Sequence, residues 1–240
     1  MKLTFLGTRG YIEPRTKRHA RHSSLLVEYH GRGVMIDCGE DWKDLLPDLR
    51  PKALVLTHAH PDHAGGLPKG SPCPVWATGP TWESLDDFPI EDKRVIQPRR
   101  PVNIRGIIFE AFAVQHSLRA PAVGFRITAG RASVFYAPDV VYINERREAL
   151  QGCRLYIGDG ATVIRSMVRK QDDQLFGHTP VRTQLTWCRK EAVPRMLVSH
   201  CGKEIVEGEK EGILETIAAL GDERHIAVEV AYDGMEVILR

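Results

Sequence analysis

The 240-residue sequence lacks a long hydrophobic run, a cysteine framework and a strong excess of either charge. No stretch of about 18 consecutive apolar residues occurs, which excludes an ordinary membrane-spanning helix. The five cysteines are odd in number, widely spaced and contain no C-x-x-C pair. A disulfide framework is therefore not expected. The net charge of +2 argues neither for nor against an acidic partner, and a content of 42% hydrophobic and 27% charged residues is typical of a globular protein.

Internal repeats, low-complexity segments and flexible linkers are also missing from the sequence. We therefore expect one domain that covers residues 1–240. The segment 1–7 reaches a turn too early to be a signal peptide. Together with the free thiols, this predicts a cytoplasmic protein without a membrane partner. The sequence leaves the oligomeric state open.

One short stretch concentrates side chains that bind metals. Residues 56–66 follow an apolar run that predicts a buried strand, and they end in two glycines that release the backbone. Between the predicted strand and these glycines lie three imidazoles and one carboxylate, which are good ligands for a divalent metal. A loop that begins at Thr57 lets His58 and His60 bind one metal while Asp62 and His63 bind a second. A solvated polar loop is the alternative interpretation.

The spacing His58-x-His60-x-Asp62-His63 resembles the signature of the metallo-β-lactamase superfamily. This resemblance implies a four-layer αββα sandwich, in which two packed sheets carry helices on their outer faces. Periodicity alone predicts only a mixed α/β or α+β fold. The resemblance also implies two divalent metal ions, with zinc as the expected metal. Manganese and iron stay open, because sets of His and Asp ligands accept all three.

The same resemblance implies the remaining ligands. His116 follows the predicted strand 107–114, about fifty residues past the first cluster, where the superfamily has its third imidazole. Asp139 ends an apolar strand; alone it would be interpreted as a turn residue or a helix cap, but here it resembles the carboxylate that bridges both metals. His200 follows the predicted strand 195–199. One metal would thus have His58, His60 and His116, the other Asp62, His63 and His200, with Asp139 shared.

Two further carboxylates are expected behind the metal ligands. Asp37 ends the predicted strand 33–37, and we expect it to order backbone amides near the metal loop rather than to bind metal. Asp159 lies between two glycines after an apolar strand and is a rival of Asp139 for the bridging position. Its later position matches no ligand in the superfamily pattern, so we expect Asp159 to contact the metal ligands from behind rather than the metal itself.

His178 lies just before a predicted helix, which Thr179 would cap and Pro180 would open. The local sequence is equally compatible with a surface histidine and with a proton donor, since an imidazole titrates near neutral pH. The segment Gly177-His178-Thr179 resembles the additional histidine motif of ribonuclease Z and its relatives. That resemblance favours a general acid.

The segment 9–22 is rich in basic residues and would suit an anionic substrate. We expect Arg9, Arg18 and Arg21 to contact substrate, although a solvated loop also explains such a run. Near the carboxyl terminus, Asp233-Gly234 predicts a hairpin between strands 226–231 and 235–239.

These features predict a two-metal phosphodiesterase that acts on a small or cyclic nucleotide-like ester. Hydroxide held by the metals would be the nucleophile, His178 the acid, and Asp62 would serve both as ligand and in catalysis. Segments 194–200 and 232–237 are similar to the cyclic-ribose phosphate phosphodiesterases of phosphonate breakdown. Residues 7–24 lack the cysteines that hold a structural zinc in those relatives.

Three other possibilities are weighed. A nucleic-acid substrate is open, but transfer RNA is not expected, because only 22 residues separate His116 from Asp139. Ribonuclease Z relatives carry a long arm in that interval. The first alternative function is an acyl hydrolase that cleaves a lactone, thioester or β-lactam. The second is a metal-stabilised nucleic-acid-binding module without turnover, since a fold does not guarantee its chemistry.

Overall fold

The computed structural model describes residues 1–208 and 212–240. The strands are β1 Lys2–Gly7, β2 Ser24–Tyr29, β3 Arg32–Ile36, β4 Leu54–Val55, β5 Val75–Ala77, β6 Lys93–Val95, β7 Val102–Ile104, β8 Ile107–Gln115, β9 Ala122–Ala129, β10 Ala132–Tyr136, β11 Tyr142–Ile143, β12 Leu155–Asp159, β13 Arg169–Gln171, β14 Gln174–Phe176, β15 Arg195–Ser199, β16 Ala227–Val230 and β17 Glu236–Ile238. The α-helices are α1 Leu46–Leu49, α2 Pro61–Ala64, α3 Gly79–Glu83, α4 Arg146–Leu150, α5 Val181–Lys190, α6 Lys203–Gly208 and α7 Ile213–Asp222. A 3₁₀ turn covers Glu40–Trp42. Within the described ranges, no helix is both long and apolar enough to cross a membrane.

Two large mixed sheets carry the chain. The first has the order β17-β1-β2-β3-β4-β5-β6, and the second has the order β11-β8-β9-β10-β12-β15-β16 with β7 also paired to β8. Strands β3 to β6 are parallel to one another, as are β10, β12, β15 and β16. Parallel neighbours need crossover connections, and short helices provide several of them.

Successive side chains of a strand point to opposite faces of its sheet. One face packs against the other sheet, and the opposite face packs against the outer helices. In β8, Phe109 packs into the layer between the sheets, whereas Phe112 packs against the outer helices. Val55 and Leu54 of β4 divide in the same way. Helices α4 to α7 cover the second sheet, and the 3₁₀ turn with α1 and α2 covers the first. The predicted αββα sandwich is confirmed.

The predicted carboxyl-terminal hairpin is wrong. A turn does form at Asp233-Gly234, where Met235 N donates to Tyr232 O. However, β16 pairs with β15 in the second sheet, and β17 pairs with β1 in the first. The Asp233 carboxylate accepts hydrogen bonds from Thr8 Oγ1 and from the amides of Ala20 and Arg21. The turn therefore carries the chain from one sheet to the other and fixes the loop after β1.

The polar residues predicted for the site lie at one edge of the sandwich. Asp37 follows β3, His116 follows β8, Asp139 follows β10, and His200 follows β15. These strands run in the same direction within their sheets, so their carboxyl ends meet at one edge, where ligands of α/β sheets bind. A hydrogen bond from Val123 N to Thr57 O joins the two sheets at this edge.

Candidate metal centre

Three imidazoles form one group of converging nitrogen atoms, which we call the imidazole group: His58, His60 and His116. Nδ1 of His60 lies 3.0 Å from Nε2 of His58 and 3.2 Å from Nε2 of His116. Donor atoms about 2.0–2.1 Å from one metal ion in a tetrahedral arrangement lie about 3.3 Å from each other. The spacing of the three nitrogens is that of one shared ligand sphere.

The tautomers of this group fit a metal. His116 Nδ1 lies 3.1 Å from the carbonyl oxygen of Gly177, to which it can only donate. His58 Nδ1 lies 3.0 Å from the hydroxyl of Thr57, whose own proton is directed to Asp37. Both Nε2 atoms therefore carry lone pairs that point toward His60. These lone pairs can be donated to a cation among the three nitrogens, or they accept a hydrogen bond from His60 Nδ1 when that atom carries the proton.

A second group, which we call the carboxylate group, comprises Asp62, His63, Asp139 and His200. Asp62 Oδ2 lies 3.0 Å from His200 Nε2 and 3.3 Å from His63 Nε2. His63 Nε2 and Asp139 Oδ2 lie 2.5 Å apart, yet neither atom makes an aligned hydrogen bond and both are buried. Orphaned buried polar atoms need a partner, and a divalent cation would satisfy both.

Asp139 joins the two groups. Its Oδ2 lies 3.6 Å from His58 Nε2, while its Oδ1 lies 3.3 Å from His200 Nε2. One carboxylate thus faces donor atoms of both groups. The seven predicted ligands meet in the folded chain, and their donor atoms fit divalent metal ions. The shared role of Asp139 stays a prediction.

Asp37 supports His63 from behind. Its Oδ2 lies 2.8 Å from His63 Nδ1, and its Oδ1 accepts a hydrogen bond from Thr57 N at 2.8 Å. Asp37 therefore orders an amide of the metal loop, as expected, and also leaves His63 Nε2 to face the ligand cluster. Its backbone lies in the left-handed region at φ 62°, an uncommon conformation that clusters at functional sites. The linking role of the Thr57 hydroxyl escaped the sequence reasoning.

Asp159 supports two other histidines. Its Oδ2 lies 2.8 Å from His178 Nδ1, and its Oδ1 lies 3.6 Å from His200 Nδ1. The amides of Val140 and Ala161 also donate to this carboxylate. The supporting role of Asp159 stays a prediction, since Asp139, Asp159, His178 and His200 also converge closely enough to hold a metal ion. Because Asp159 occupies His178 Nδ1, only Nε2 of that ring can meet a bound molecule.

The helix after His178 begins one residue later than predicted. Pro180, not Thr179, occupies the N-cap position, and α5 starts at Val181. No side chain caps this end, because the amides of Val181 and Arg182 donate to the carbonyl oxygens of Thr162 and Val163. The loop before the helix replaces the predicted cap.

The two groups have opposite proton affinities. Burial lowers the pKa of His116 and, with nearby His63, lowers that of His58 well below its usual range. Burial and His116 lower the pKa of His60 to about 4. In the carboxylate group burial also disfavours the charged rings, but the neighbouring carboxylates, led by Asp139, raise the pKa of His200 to about 10. Asp62 and Asp139 likewise raise the pKa of His63 well above its usual range.

Gly39 allows the metal loop to pack closely. A Cβ atom at this position would lie 2.1 Å from the carbonyl oxygen of Asp62. Any side chain there would displace the backbone that carries Asp62 and His63. This contact explains the glycine at the end of the segment that follows β3.

A cleft of about 960 Å³ opens above both groups. His60, Asp62, His116, Asp139, His178 and His200 line it. The cations along its wall are Arg165, Arg169 and Lys203. The sequence reasoning missed all three. Nothing in the local pattern of residues 161–177 shows that the segment with Arg165 and Arg169 folds back over the site, and nothing at the start of α6 shows that Lys203 faces it.

The predicted substrate contacts of the basic loop lie elsewhere. Arg9 is only 1% exposed and its guanidinium pairs with Asp41, so its burial contradicts a contact with substrate. Arg18 lies over the ring of Tyr232 at 4.6 Å, and Arg21 lies over the ring of Trp42 at 5.4 Å. Neither lines the cleft described above.

Comparison with known proteins agrees with this arrangement. The family model described as the beta-lactamase superfamily domain matches residues 32–201, more than half of the chain. The chain belongs to the metallo-β-lactamase superfamily. The matched segment includes all seven residues of the two ligand groups.

Similar proteins from this superfamily are known by sequence and by structure. The ribonuclease Z of Methanopyrus kandleri is 28% identical over 180 residues, which cover 64% of this chain and 61% of that protein. This chain thus spans less than two thirds of that relative. The metallo-β-lactamase fold protein YhfI of Bacillus subtilis superposes with a TM-score of 0.76 at 16% identity, covering 98% of each chain. A diphosphatase of the PhnP family superposes with a TM-score of 0.70 at 17% identity, covering 100% of this chain and 98% of that one.

Proposed function

We propose that this chain is a metal-dependent phosphodiesterase that cleaves a small or cyclic nucleotide-like phosphate ester. The observation that carries the proposal is the pair of ligand groups that share Asp139 at the floor of one cleft, with His178 beside them. Asp139 is 3% exposed and faces donor atoms of both groups. Such an arrangement is typical of two-metal sites that act on phosphoryl centres.

We assign His58, His60 and His116 to one metal, Asp62, His63 and His200 to the other, and Asp139 to both. Zinc is the expected metal, because it accepts imidazole nitrogen and carboxylate oxygen in low-coordinate sites. When bound, two divalent ions lower the pKa of water and neutralise charge on the attacked phosphoryl group. Asp62 then has a double role as a ligand and as a carboxylate that faces the cleft.

His178 is the proposed general acid. Asp159 accepts from its Nδ1 and holds the ring orientation, which leaves Nε2 to donate a proton to the leaving oxygen. Burial disfavours the imidazolium, but the ionised Asp159 outweighs that effect and raises the pKa of His178 above its ordinary value. This shift favours the protonated form of His178, which a general acid needs.

Two observations favour a phosphate ester over a carbonyl substrate, and a third favours a small one. Arg165, Arg169 and Lys203 line the same cleft as the ligands, and cations stabilise a substrate that stays negatively charged. One relative is named ribonuclease Z, and one structural neighbour is described as a diphosphatase. The interval between His116 and Asp139 is filled by the β9–β10 hairpin. That short hairpin supports a small substrate rather than transfer RNA.

The first experiment is a turnover screen of the purified protein, with metal content measured on the same sample. We expect hydrolysis of bis-p-nitrophenyl phosphate with about two equivalents of metal per chain. Hydrolysis of lactones or thioesters without phosphodiester cleavage would show an acyl hydrolase instead. Tight nucleic-acid binding with a steep salt dependence and no turnover would show a binding module.

A second experiment tests the acid. His178→Ala should lower kcat about 10²–10⁴-fold on esters with alkyl leaving groups, because their oxygen needs a proton. It should change kcat on p-nitrophenyl esters far less, since nitrophenolate leaves without one. Equal losses on both kinds of ester would remove the acid role. His225→Ala, in an exposed segment after α7, is a matched control that should change neither.

A further inference from the structure

The segment between β12 and α5 folds over the cleft and changes what the site can hold. It covers residues 160–180 and includes the hairpin β13–β14. Arg165 and Arg169 lie on it, both exposed, and both line the cleft with the ligand groups. Lys203, at the start of α6, also lines the cleft. We call Arg165, Arg169 and Lys203 the cationic rim.

We propose that the cationic rim binds a second anionic group of the substrate, a phosphate separate from the ester that is cleaved. This inference rests on the phosphodiesterase function proposed above and narrows its substrate class. The substrate would be a phosphodiester that carries an additional phosphate on the part of the molecule away from the leaving group.

The two arginines of the rim have no carboxylate partner among the residues that the structure describes. Some other arginines of those ranges do have a carboxylate partner: Arg146 lies 3.0 Å from Glu191, and Arg195 lies 3.1 Å from Glu229. A guanidinium group can donate two parallel hydrogen bonds to the oxygens of one phosphate, in a bidentate geometry. Arg165 and Arg169 therefore keep their donors available to a molecule in the cleft.

The other charges at the rim do not cancel these cations. Lys203 lies 3.7 Å from Glu207, and both side chains are exposed, so this pair is weak. Glu204 also lines the cleft, but its carboxylate accepts a hydrogen bond from the amide of Val163 at 2.9 Å. Glu204 thus serves to hold the segment, and the rim keeps a net positive charge.

The segment is tied to the histidines of the site. Met167 N donates to the carbonyl oxygen of His178, and Gly177 N donates to that of His116. Gly177 has φ 104°, and a Cβ atom there would lie 2.3 Å from the carbonyl oxygen of Met167. Thr162 Oγ1 donates to the carbonyl oxygen of Arg165 at 2.7 Å. These contacts fix the backbone that carries the rim, and a pre-formed site loses less entropy on binding.

The size of the cleft agrees with a substrate larger than one phosphodiester. Small-molecule sites range from about 300 to 1,000 Å³, and this cleft, at about 960 Å³, lies near the upper limit. Tyr11 and Ile12 contribute an apolar wall to the same cleft. The cleft therefore has room for a nucleoside together with its phosphate groups.

The test compares two chromogenic esters that differ only in the second phosphate. They are thymidine 5′-p-nitrophenyl phosphate and the same ester with a 3′-phosphate, and both release p-nitrophenolate. We expect the metal-loaded wild-type protein to have a higher kcat/KM for the ester with the 3′-phosphate. In R165A/R169A this preference should fall by about tenfold or more, since hydrogen bonds to charged groups are the strong ones.

The control is Arg131→Ala. Arg131 is exposed and precedes β10, whereas Asp139 follows β10, so it lies at the opposite end of the sheet from the site. The Arg131→Ala substitution removes one surface arginine, and this variant should keep the wild-type preference for the ester with the 3′-phosphate. Thermal unfolding monitored by circular dichroism should show that all variants are folded.

The outcomes separate the two proposals. Release of p-nitrophenolate from neither ester by the metal-loaded wild-type protein would overturn the phosphodiesterase and the rim together. Turnover with equal preference in the wild-type protein and in R165A/R169A would overturn the rim alone. Loss of the preference in R165A/R169A, with turnover of the unphosphorylated ester kept and Arg131→Ala unchanged, supports both.

Discussion

The imidazole group and the carboxylate group hold similar atoms in opposite electrostatic surroundings. His58 and His116 turn their Nδ1 atoms to neutral partners, the Thr57 hydroxyl and the Gly177 carbonyl oxygen. His63 turns its Nδ1 to a carboxylate, that of Asp37. His200 has Asp159 at the corresponding position, 3.6 Å from its Nδ1. Burial keeps the first group uncharged. The carboxylates around the second group, led by Asp62 and Asp139 and joined by Asp37 and Asp159, favour protons on its histidines.

This difference predicts that the two metal positions fill in different ways. The imidazole group offers lone pairs at neutral pH, since the pKa of His60 is about 4 and that of His58 is lower than usual. The carboxylate group holds protons on His63 and His200, so a metal must displace them. Protons in the metal-free protein and a cation in the loaded one would compensate the same negative charge.

The largest expected effect comes from the one residue that the two groups share. Asp139→Asn keeps the shape of the side chain but removes its charge, so both positions should lose affinity. With several kcal/mol of charge stabilisation removed, kcat/KM for a phosphodiester should fall about 10³-fold. Metal analysis after dialysis should show less than two equivalents. A variant that retains two equivalents and full activity would contradict the shared role.

The next effect separates the groups by pH. His200 stays protonated below about pH 10, so metal affinity of the carboxylate group should fall about tenfold per pH unit for each proton displaced as the pH decreases. The imidazole group should keep constant affinity until the pH approaches 4, the pKa of His60. Calorimetric titration in buffers of different ionisation enthalpy measures the protons released. His60→Ala and His200→Ala each isolate one group, and equal proton release from both variants would break the comparison.

Asp37→Asn tests the anionic support alone. The side-chain NH₂ of the introduced asparagine would face His63 Nδ1–H, so two donors would meet and the hydrogen bond would be lost. The negative charge of Asp37 would be lost as well. Loss of such an outer partner should weaken metal binding by about 10–100-fold, and only for the carboxylate group. Competition with a chromophoric chelator measures this change. A loss confined to the imidazole group would contradict the assignment of Asp37.

The smallest effect concerns the neutral support. Thr57→Val keeps the volume of the side chain and removes the hydroxyl that bridges His58 and Asp37. One net hydrogen bond is worth about 0.5–1.5 kcal/mol, so metal affinity of the imidazole group should fall a few-fold. The same chelator assay measures it. A loss as large as that of Asp37→Asn would show that neutral and anionic supports are equivalent.

The ligand motif could be predicted because it is local. His58, His60, Asp62 and His63 lie within six residues, so their chemistry is visible before the chain folds. His116, Asp139 and His200 could be assigned only by resemblance, because each is a single polar residue after an apolar strand. The αββα fold also came from that resemblance, and the extent of the single domain stays a prediction.

Errors arose where tertiary contacts decide. Asp233-Gly234 correctly predicted a turn, but turn chemistry does not select the sheet that the next strand joins. Arg9 has the charge expected for a substrate contact, and only the fold shows that Asp41 neutralises it in the interior. Arg165 and Arg169 reach the cleft through contacts of their segment with His116 and His178, which no local pattern encodes.

The most direct test of the central claim is anomalous scattering from crystals of the metal-loaded protein. The account predicts two peaks on either side of Asp139. One should lie among His58 Nε2, His60 Nδ1 and His116 Nε2, and the other among Asp62, His63 Nε2 and His200 Nε2. A single peak, or peaks away from these side chains, would contradict it.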